Sequence, residues 1–365
     1  MKNNFNLILI FFSTVLLSQD VGFSDILNPV YPDKNELNFK KTHTINTARN
    51  STVDINIVIS SRLNSNIEFI SESKTLNNLI FSEVIDVPVE QNTGLDSRTE
   101  QFKGKINPYV IRRAPFKIYE IINPLNTNKL ISKNTFSLIN VKIPITDKIS
   151  SEKNQIDFKF KINNKKFSLR LKVNIYDVTV PDLNQSNFFY TNWFNLSKME
   201  EYHDLDRWST DWYSMLNKYA KLMASGRQNC VKIPRELIYL KDNEVYLDEE
   251  KMISFINIFL KYGFKYFESP HLLGRGKNDD WGNPELVTNL RGKGYYSEVG
   301  NKEIKDVVLK IKSFTKKYNL TDMWLQHIAD EPTSVNAKCY SDVAKQIKNI
   351  FPEIKIMEAT NTREA

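Results

Sequence analysis

The hydrophobic pattern of this chain changes its period once, near Pro181, and that change constrains the fold more than any single motif. Upstream, Val53, Ile55, Ile57 and Ile59 alternate with polar partners, and Ile156, Phe158, Phe160 and Ile162 do the same. The second run passes through Asn163-Asn164 into Phe167, Leu169, Leu171, Val173 and Ile175. Apolar residues at every second position turn one face of an extended chain to a core and the other to water. Two such runs joined by turn-prone asparagines predict a hairpin. Further short strands fit 110–121 and 136–145, and no helical period interrupts them. Residues 25–182 therefore read as an N-terminal β-sandwich domain.

After Pro181 and the polar stretch 182–186, strands alternate with helices. Phe188 to Phe194 is an aromatic first strand. Ser209 or Thr210 caps a helix through Met215, Tyr219 and Met223 to about Ser225. Cys230 to Pro234 is a second strand, followed by a side hairpin around Lys241-Asp242-Asn243. Asp248 caps a helix that Gly263 stops, and Phe264 to Ser269 is the third strand. A long polar and aromatic loop, 271–301, leads to a helix over 302–318. The run from Met323 is the fourth strand, 334–350 the fourth helix, and 354–359 the fifth strand. This alternation predicts parallel βαβ units. Residues 183–365 are thus expected to form a (β/α)8 TIM-type barrel, incomplete at the C-terminus. Five strands and four helices are about half of a fold that needs about 250 residues.

The opening residues read as an export signal. Lys2 precedes an apolar core over 7–17, and Gly22-Phe23-Ser24 offers a small-x-small cleavage site before Asp25, with Ser18 as an earlier option. Eleven apolar residues are too few to span a bilayer, which takes about 20. No stable membrane anchor is expected, and the mature chain is placed in the periplasm or outside the cell. Fifty basic and 43 acidic residues leave a net charge of +7, but the lysines are scattered rather than striped, so no nucleic acid is expected as a partner. The two cysteines, Cys230 and Cys339, are too few for a disulfide scaffold and read as buried thiols. Four histidines, His43, His203, His271 and His327, show no paired ligand spacing, so no metal is expected. A phosphate-cradling glycine loop and a serine elbow are likewise missing.

The sharpest chemical signal is Met323-Trp324-Leu325-Gln326-His327-Ile328-Ala329-Asp330-Glu331-Pro332. An apolar strand of this kind lies inside a covered sheet, and two acids at its exit are costly to bury unless something pairs or uses them. The mouth of a strand–helix barrel is where active sites are built. A carboxylate pair there suits cleavage of a glycosidic bond.

Taken with the aromatic Asn192-Trp193-Phe194 and the third-strand ending Glu268-Ser269-Pro270-His271, this pattern resembles glycoside hydrolase family 123 over residues 30–365. The adjacent acidic pair is also similar to that of the family 20 hexosaminidases. The resemblance implies a sandwich followed by a catalytic barrel, and an exo-acting β-N-acetylgalactosaminidase that needs no cofactor. It further implies substrate-assisted catalysis on a glycan or glycoconjugate, with Asp330 orienting the 2-acetamido group and Glu331 as general acid/base. Regular strand pleating would point these two side chains to opposite faces. A departure from the pleat over 329–332 is therefore expected, and so is burial of Glu331 to keep it protonated. His271 and His327 are candidate hydroxyl contacts. Trp193, Trp281, Tyr295 and Tyr296 are candidate apolar platforms for the sugar.

Overall fold

The computed structural model describes residues 19–363, apart from 25, 28, 34–38, 92–109, 151–152, 277 and 361. The chain divides into two compact units at Val180–Pro181.

Among the described residues, the first unit holds ten strands in two five-stranded sheets. One sheet orders β1 (Asp20–Ser24), β3 (Ser51–Ser60), β8 (Phe136–Ile145), β5 (Ile80–Val89) and β6 (Phe116–Pro124). The other orders β2 (Thr42–Arg49), β10 (Lys165–Thr179), β9 (Lys153–Ile162), β4 (Asn66–Glu72) and β7 (Lys129–Ile131). Residues 53, 55, 57 and 59 of β3, every second residue of β9, and 169, 171, 173 and 175 of β10 are buried, as the period-two pattern dictates. Ile55, Ile57, Val141 and Ile143 of one sheet share a core with Phe69, Phe158, Phe160 and Leu171 of the other. Asn163 takes a left-handed φ of 52° in the turn between β9 and β10, which asparagine tolerates better than most residues. Among the described residues, this unit contains no helix.

One boundary differs from expectation. The strand β1, which the sequence reading placed inside the export signal, pairs antiparallel with β3 from Asp20↔Ser60 to Ser24↔Asn56. Val21 and Phe23 are buried in the sandwich core. Gly22 is required there, because a Cβ would stand 2.6 Å from that of Phe39. Cleavage after Ser24 would remove a core strand, whereas cleavage at Ser18 would spare it. Residues 1–18, with the apolar core of that segment, lie outside the described residues.

The second unit is built on a parallel sheet ordered β11 (Cys230–Lys232), β14 (Tyr266–Glu268), β17 (Trp324–Gln326) and β18 (Lys355–Ile356). Helices α1 (Leu196–His203), α2 (Thr210–Ser225), α3 (Glu249–Leu260), α4 (Glu298–Lys317) and α5 (Ala337–Ile350) accompany it. Two small hairpins, β12 (Ile238–Lys241) with β13 (Glu244–Leu247) and β15 (Leu273–Gly274) with β16 (Val287–Thr288), complete the unit. Ser209, Asp248 and Ser297 accept hydrogen bonds from the first turns of α2, α3 and α4, satisfying otherwise orphaned donors. Asp242 and Asn243 both have positive φ between β12 and β13, as a primed hairpin turn demands. Strand alternation sorts the sheet: Val231, Phe267 and Trp324 join the helical core, while Cys230, Tyr266 and Leu325 form a separate cluster.

The described sheet is open, with four strands, rather than a closed barrel. The expected first strand, 188–194, forms no ladder. Its backbone is held instead by Asn229, whose side chain accepts from Tyr190 N and donates to Phe188 O, while the Tyr190 carbonyl accepts from the amides of Asn229 and Cys230. A side chain thus stands where a neighbouring strand would bond. The helix α1 has no counterpart in the sequence reading. Helix α5 also begins later than the expected 334, with Asn336 just before its first turn.

Candidate functional site

The chemistry collects where the parallel strands end. Two residues beyond Cys230, Tyr266 and Leu325, on the same side of each strand, stand Lys232, Glu268 and His327. Glu358 follows β18, and His271 follows β14. Glu268 is fully buried, and the His327 and Glu358 side chains are only 5% and 3% exposed.

These groups form one connected network. His327 Nε2 lies 3.1 Å from Glu268 Oε2, and its Nδ1 lies 2.9 Å from Glu358 Oε1. The second oxygen of Glu358 accepts from the backbone amides of Ile328 (3.1 Å) and Ala329 (3.2 Å). His271 Nε2 is 3.4 Å from Glu358 Oε1, and the two imidazoles stack edge-on with centroids 4.8 Å apart. The thiol of Cys230 donates to Glu268 Oε1 at 3.3 Å. Below this layer, Ser269 Oγ accepts from His327 N and from the Gln326 side-chain amide.

The electrostatics follow from that geometry. Burial alone would lower the pKa of His327, but its hydrogen bonds to Glu268 and Glu358, with their charges, outweigh it and raise the pKa to about 9. Burial pushes Glu358 up, and the bonds from His271 and His327 outweigh that, bringing it down to about 2. Glu268 is lowered in the same way, burial being overcome chiefly by His327. Burial lowers Lys232, against the opposing charges of Glu268, Asp330 and Glu358. Burial and the adjacent Glu268 carboxylate push the Cys230 thiol up, so it is no nucleophile.

A cleft of about 560 Å³ opens beside the network, with Trp193, Lys232, Arg235, His271 and Asn289 among its walls. Lys232 Nζ sits 4.1 Å above the Trp193 ring, and Trp193 meets His271 edge-on at 6.3 Å.

Asp330 and Glu331 leave the strand beyond His327, and both are exposed. Glu331 has a φ of 44°, so the regular pleat breaks where the sequence required it to. Arg275 holds this turn. Its Nη2 donates to the carbonyls of Asp330 (2.6 Å) and Glu331 (2.9 Å). The guanidinium also lies 3.5 Å from the centroid of Trp281. The burial expected for Glu331 is not found, because the residue lies exposed on the bend that follows the strand.

The structure brings His271, His327 and Trp193 together, with Asp330 near enough for its charge to act on Lys232. It separates the other aromatic candidates from them. The Trp281 face is taken by Arg275. Tyr295 is buried in the helical core, and the Tyr296 hydroxyl bonds Asp342 on α5 at 3.0 Å. Lys232, Glu268, Glu358 and Arg275 were not among the site residues expected from sequence, Glu268 being named only within the third-strand ending. The available signal for the first two was a charged residue two places beyond a buried apolar one, at the end of a short strand.

No family model matches the chain, and no curated protein matches it by sequence. Its fold is nonetheless similar to that of a family 123 glycoside hydrolase from Clostridium perfringens, described as acting in glycolipid glycan hydrolysis. The TM-score is 0.71 at 12% identity, covering 94% of this chain and 64% of that one. The chain therefore spans less than two thirds of that enzyme's length. A β-glucuronidase from Parabacteroides merdae aligns over 85% of this chain and 31% of its own at 8% identity, but its TM-score of 0.28 carries no weight.

Proposed function

We propose that this chain is an exported glycoside hydrolase that removes terminal β-linked N-acetylgalactosamine from glycans by retaining, substrate-assisted catalysis. The observation that carries the proposal is the Asp330-Glu331 pair at the exit of a parallel strand, in a fold similar to that of a family 123 hydrolase. Retaining hydrolysis through an enzyme nucleophile needs two carboxyls about 5 Å apart across the sugar ring. Neighbouring residues on one turn do not flank a ring in that way. The 2-acetamido oxygen of the sugar supplies the nucleophile instead. It attacks the anomeric carbon as the bond to the leaving oxygen breaks, giving an oxazolinium ion. Asp330 orients the acetamido N–H and offsets its developing charge, while Glu331 gives its proton to the leaving oxygen. Water then opens the ring, losing its proton to Glu331.

Trp193 offers a half-open indole for the sugar face, and His271, Lys232 and Asn289 offer polar atoms to hydroxyls in the adjoining cleft. The bound sugar itself would cover the exposed Glu331 and supply the dry surroundings a general acid requires. That same exposure favours a second reading, a glycan-binding protein without turnover.

Release of 4-nitrophenol from its β-N-acetylgalactosaminide and β-N-acetylglucosaminide separates the two. Hydrolysis that disappears in Glu331→Gln and falls severely in Asp330→Asn supports the proposal. Saturable binding of N-acetylgalactosamine without cleavage would replace it with the second reading.

A further inference from the structure

Three donor atoms in the network have the arrangement of a cation site. Glu358 Oε1, His327 Nδ1 and His271 Nε2 lie within 4.8 Å of one another, with Glu358 Oε1 2.9 Å and 3.4 Å from the two nitrogens. A tetrahedral zinc ion with bonds of about 2.0–2.1 Å sets its donor atoms about 3.3 Å apart, so small side-chain shifts would seat one. We propose that His271, His327 and Glu358 form a site for a divalent zinc-type cation, with a fourth position open toward the cleft.

Three further observations point the same way. His271 Nε2 is buried and its one polar neighbour, Glu358 Oε1 at 3.4 Å, is too far for a well-formed hydrogen bond, which is costly for a ring nitrogen unless something fills the space before it. His327 turns its other nitrogen to the buried Glu268 carboxylate at 3.1 Å. That carboxylate–histidine pairing keeps the proton on Nε2, so Nδ1, now 2.9 Å from Glu358 Oε1, is the nitrogen that would give up its proton to a cation. Glu358 is held by the Ile328 and Ala329 amides through Oε2, so Oε1 is the oxygen presented to both imidazoles. Two nitrogens and one carboxylate oxygen suit zinc better than calcium or magnesium. The ligands come from three different strand ends, so the ion would tie β14, β17 and β18 together.

This inference does not rest on the glycosidase reading, and its test does not measure hydrolysis. The full chain, stripped with EDTA and dialysed, is titrated with zinc chloride by calorimetry and with cobalt(II) by absorption. The expected result is one equivalent bound, with a cobalt spectrum free of thiolate charge transfer. Glu358→Gln and His271→Asn should abolish it, and Glu268→Gln should weaken it by about 10–100-fold. Failure of the parent protein to bind one equivalent would overturn the proposal. So would a thiolate band, or unchanged binding in a Glu358→Gln variant whose circular dichroism matches the parent. Should a variant not fold, the stoichiometry and cobalt spectrum of the parent decide alone.

Discussion

Raising the pH from 6 to 10 in the presence of EDTA should destabilise the second unit by about 3 kcal/mol through His327 alone. The groups facing this imidazole are Glu268 at the end of β14, Glu358 after β18 and His271 after β14, with Lys232 of β11 acted on by the same carboxylates. Its pKa stands at about 9 in the folded chain, against 6.5 for a free histidine. A group whose folded pKa is raised contributes stability that is complete below the unfolded value and lost as the pH climbs through the folded one. A difference of about 2.5 units at about 1.4 kcal/mol per unit gives about 3 kcal/mol, lost mainly between about pH 7 and 9. Glu358, held down to about 2, describes the same pairing from the other partner, so the two are not added. Its acid limb has the opposite sign, with stability present above its ordinary value near 4.5 and lost as the pH falls toward 2. Against a total of about 5–15 kcal/mol for a typical domain, a loss of this size is readily measured. Urea unfolding followed by tryptophan emission is the assay, because all five tryptophans lie after Pro181 and report on the second unit only. Other groups titrate over the same range, so the quantity read is the difference between the parent and His327→Gln. Glu268→Gln, which keeps the imidazole but removes one carboxylate, should flatten the slope in part. A parent profile that is level from pH 7 to 9.5 relative to both variants would refute the reasoning.

Arg275→Met should loosen the turn that carries Asp330 and Glu331. Two hydrogen bonds from a charged donor to carbonyls that solvent can reclaim, together with the contact on Trp281, suggest about 2–3 kcal/mol in the same urea assay. Unchanged stability would show that the turn holds itself. A chain beginning at Asp25 should lose far more than one beginning at Gln19, because it lacks Val21 and Phe23. Burial of two such side chains contributes about 3–6 kcal/mol, read as a lower midpoint in thermal circular dichroism of the sandwich strands. Equal midpoints would mean that β1 is dispensable.

The parts of this structure legible in the sequence are those where one local rule acts alone. Alternation in β9 and β10 survives into the structure because each strand has one buried face, and a slip of one residue would expose the whole apolar set. Ser209 and Asp248 cap as expected because their side chains meet amides three residues on. The segment 188–194 deceived because aromatic residues suit a strand but do not provide a partner for its backbone. Asn229, remote in sequence, supplies those bonds instead. The helix expected from 334 begins only at Ala337, because the Asn336 side chain accepts from the Thr333 amide at 2.9 Å and keeps 333–336 in a turn.

The candidate site shows the same division more sharply. Asp330 and Glu331 stand out in the sequence as two adjacent carboxylates after an apolar run. Glu268, His327 and Glu358 are separated by 59 and 31 residues along the chain, and only parallel pairing of β14, β17 and β18 brings them within hydrogen-bonding distance. Spacing rules for histidine ligands look for neighbours along one helix or loop and so pass over donors delivered by separate strand ends. In a parallel sheet the meaningful spacing is the register between strands. Cys230, Tyr266 and Leu325 mark one side of the sheet, and two residues further on each strand presents Lys232, Glu268 or His327. Once three short strands are recognised, reading two places beyond Cys230, Tyr266 and Leu325 recovers the first three members of the network. Glu358, which follows β18 without that offset, requires the coordinates.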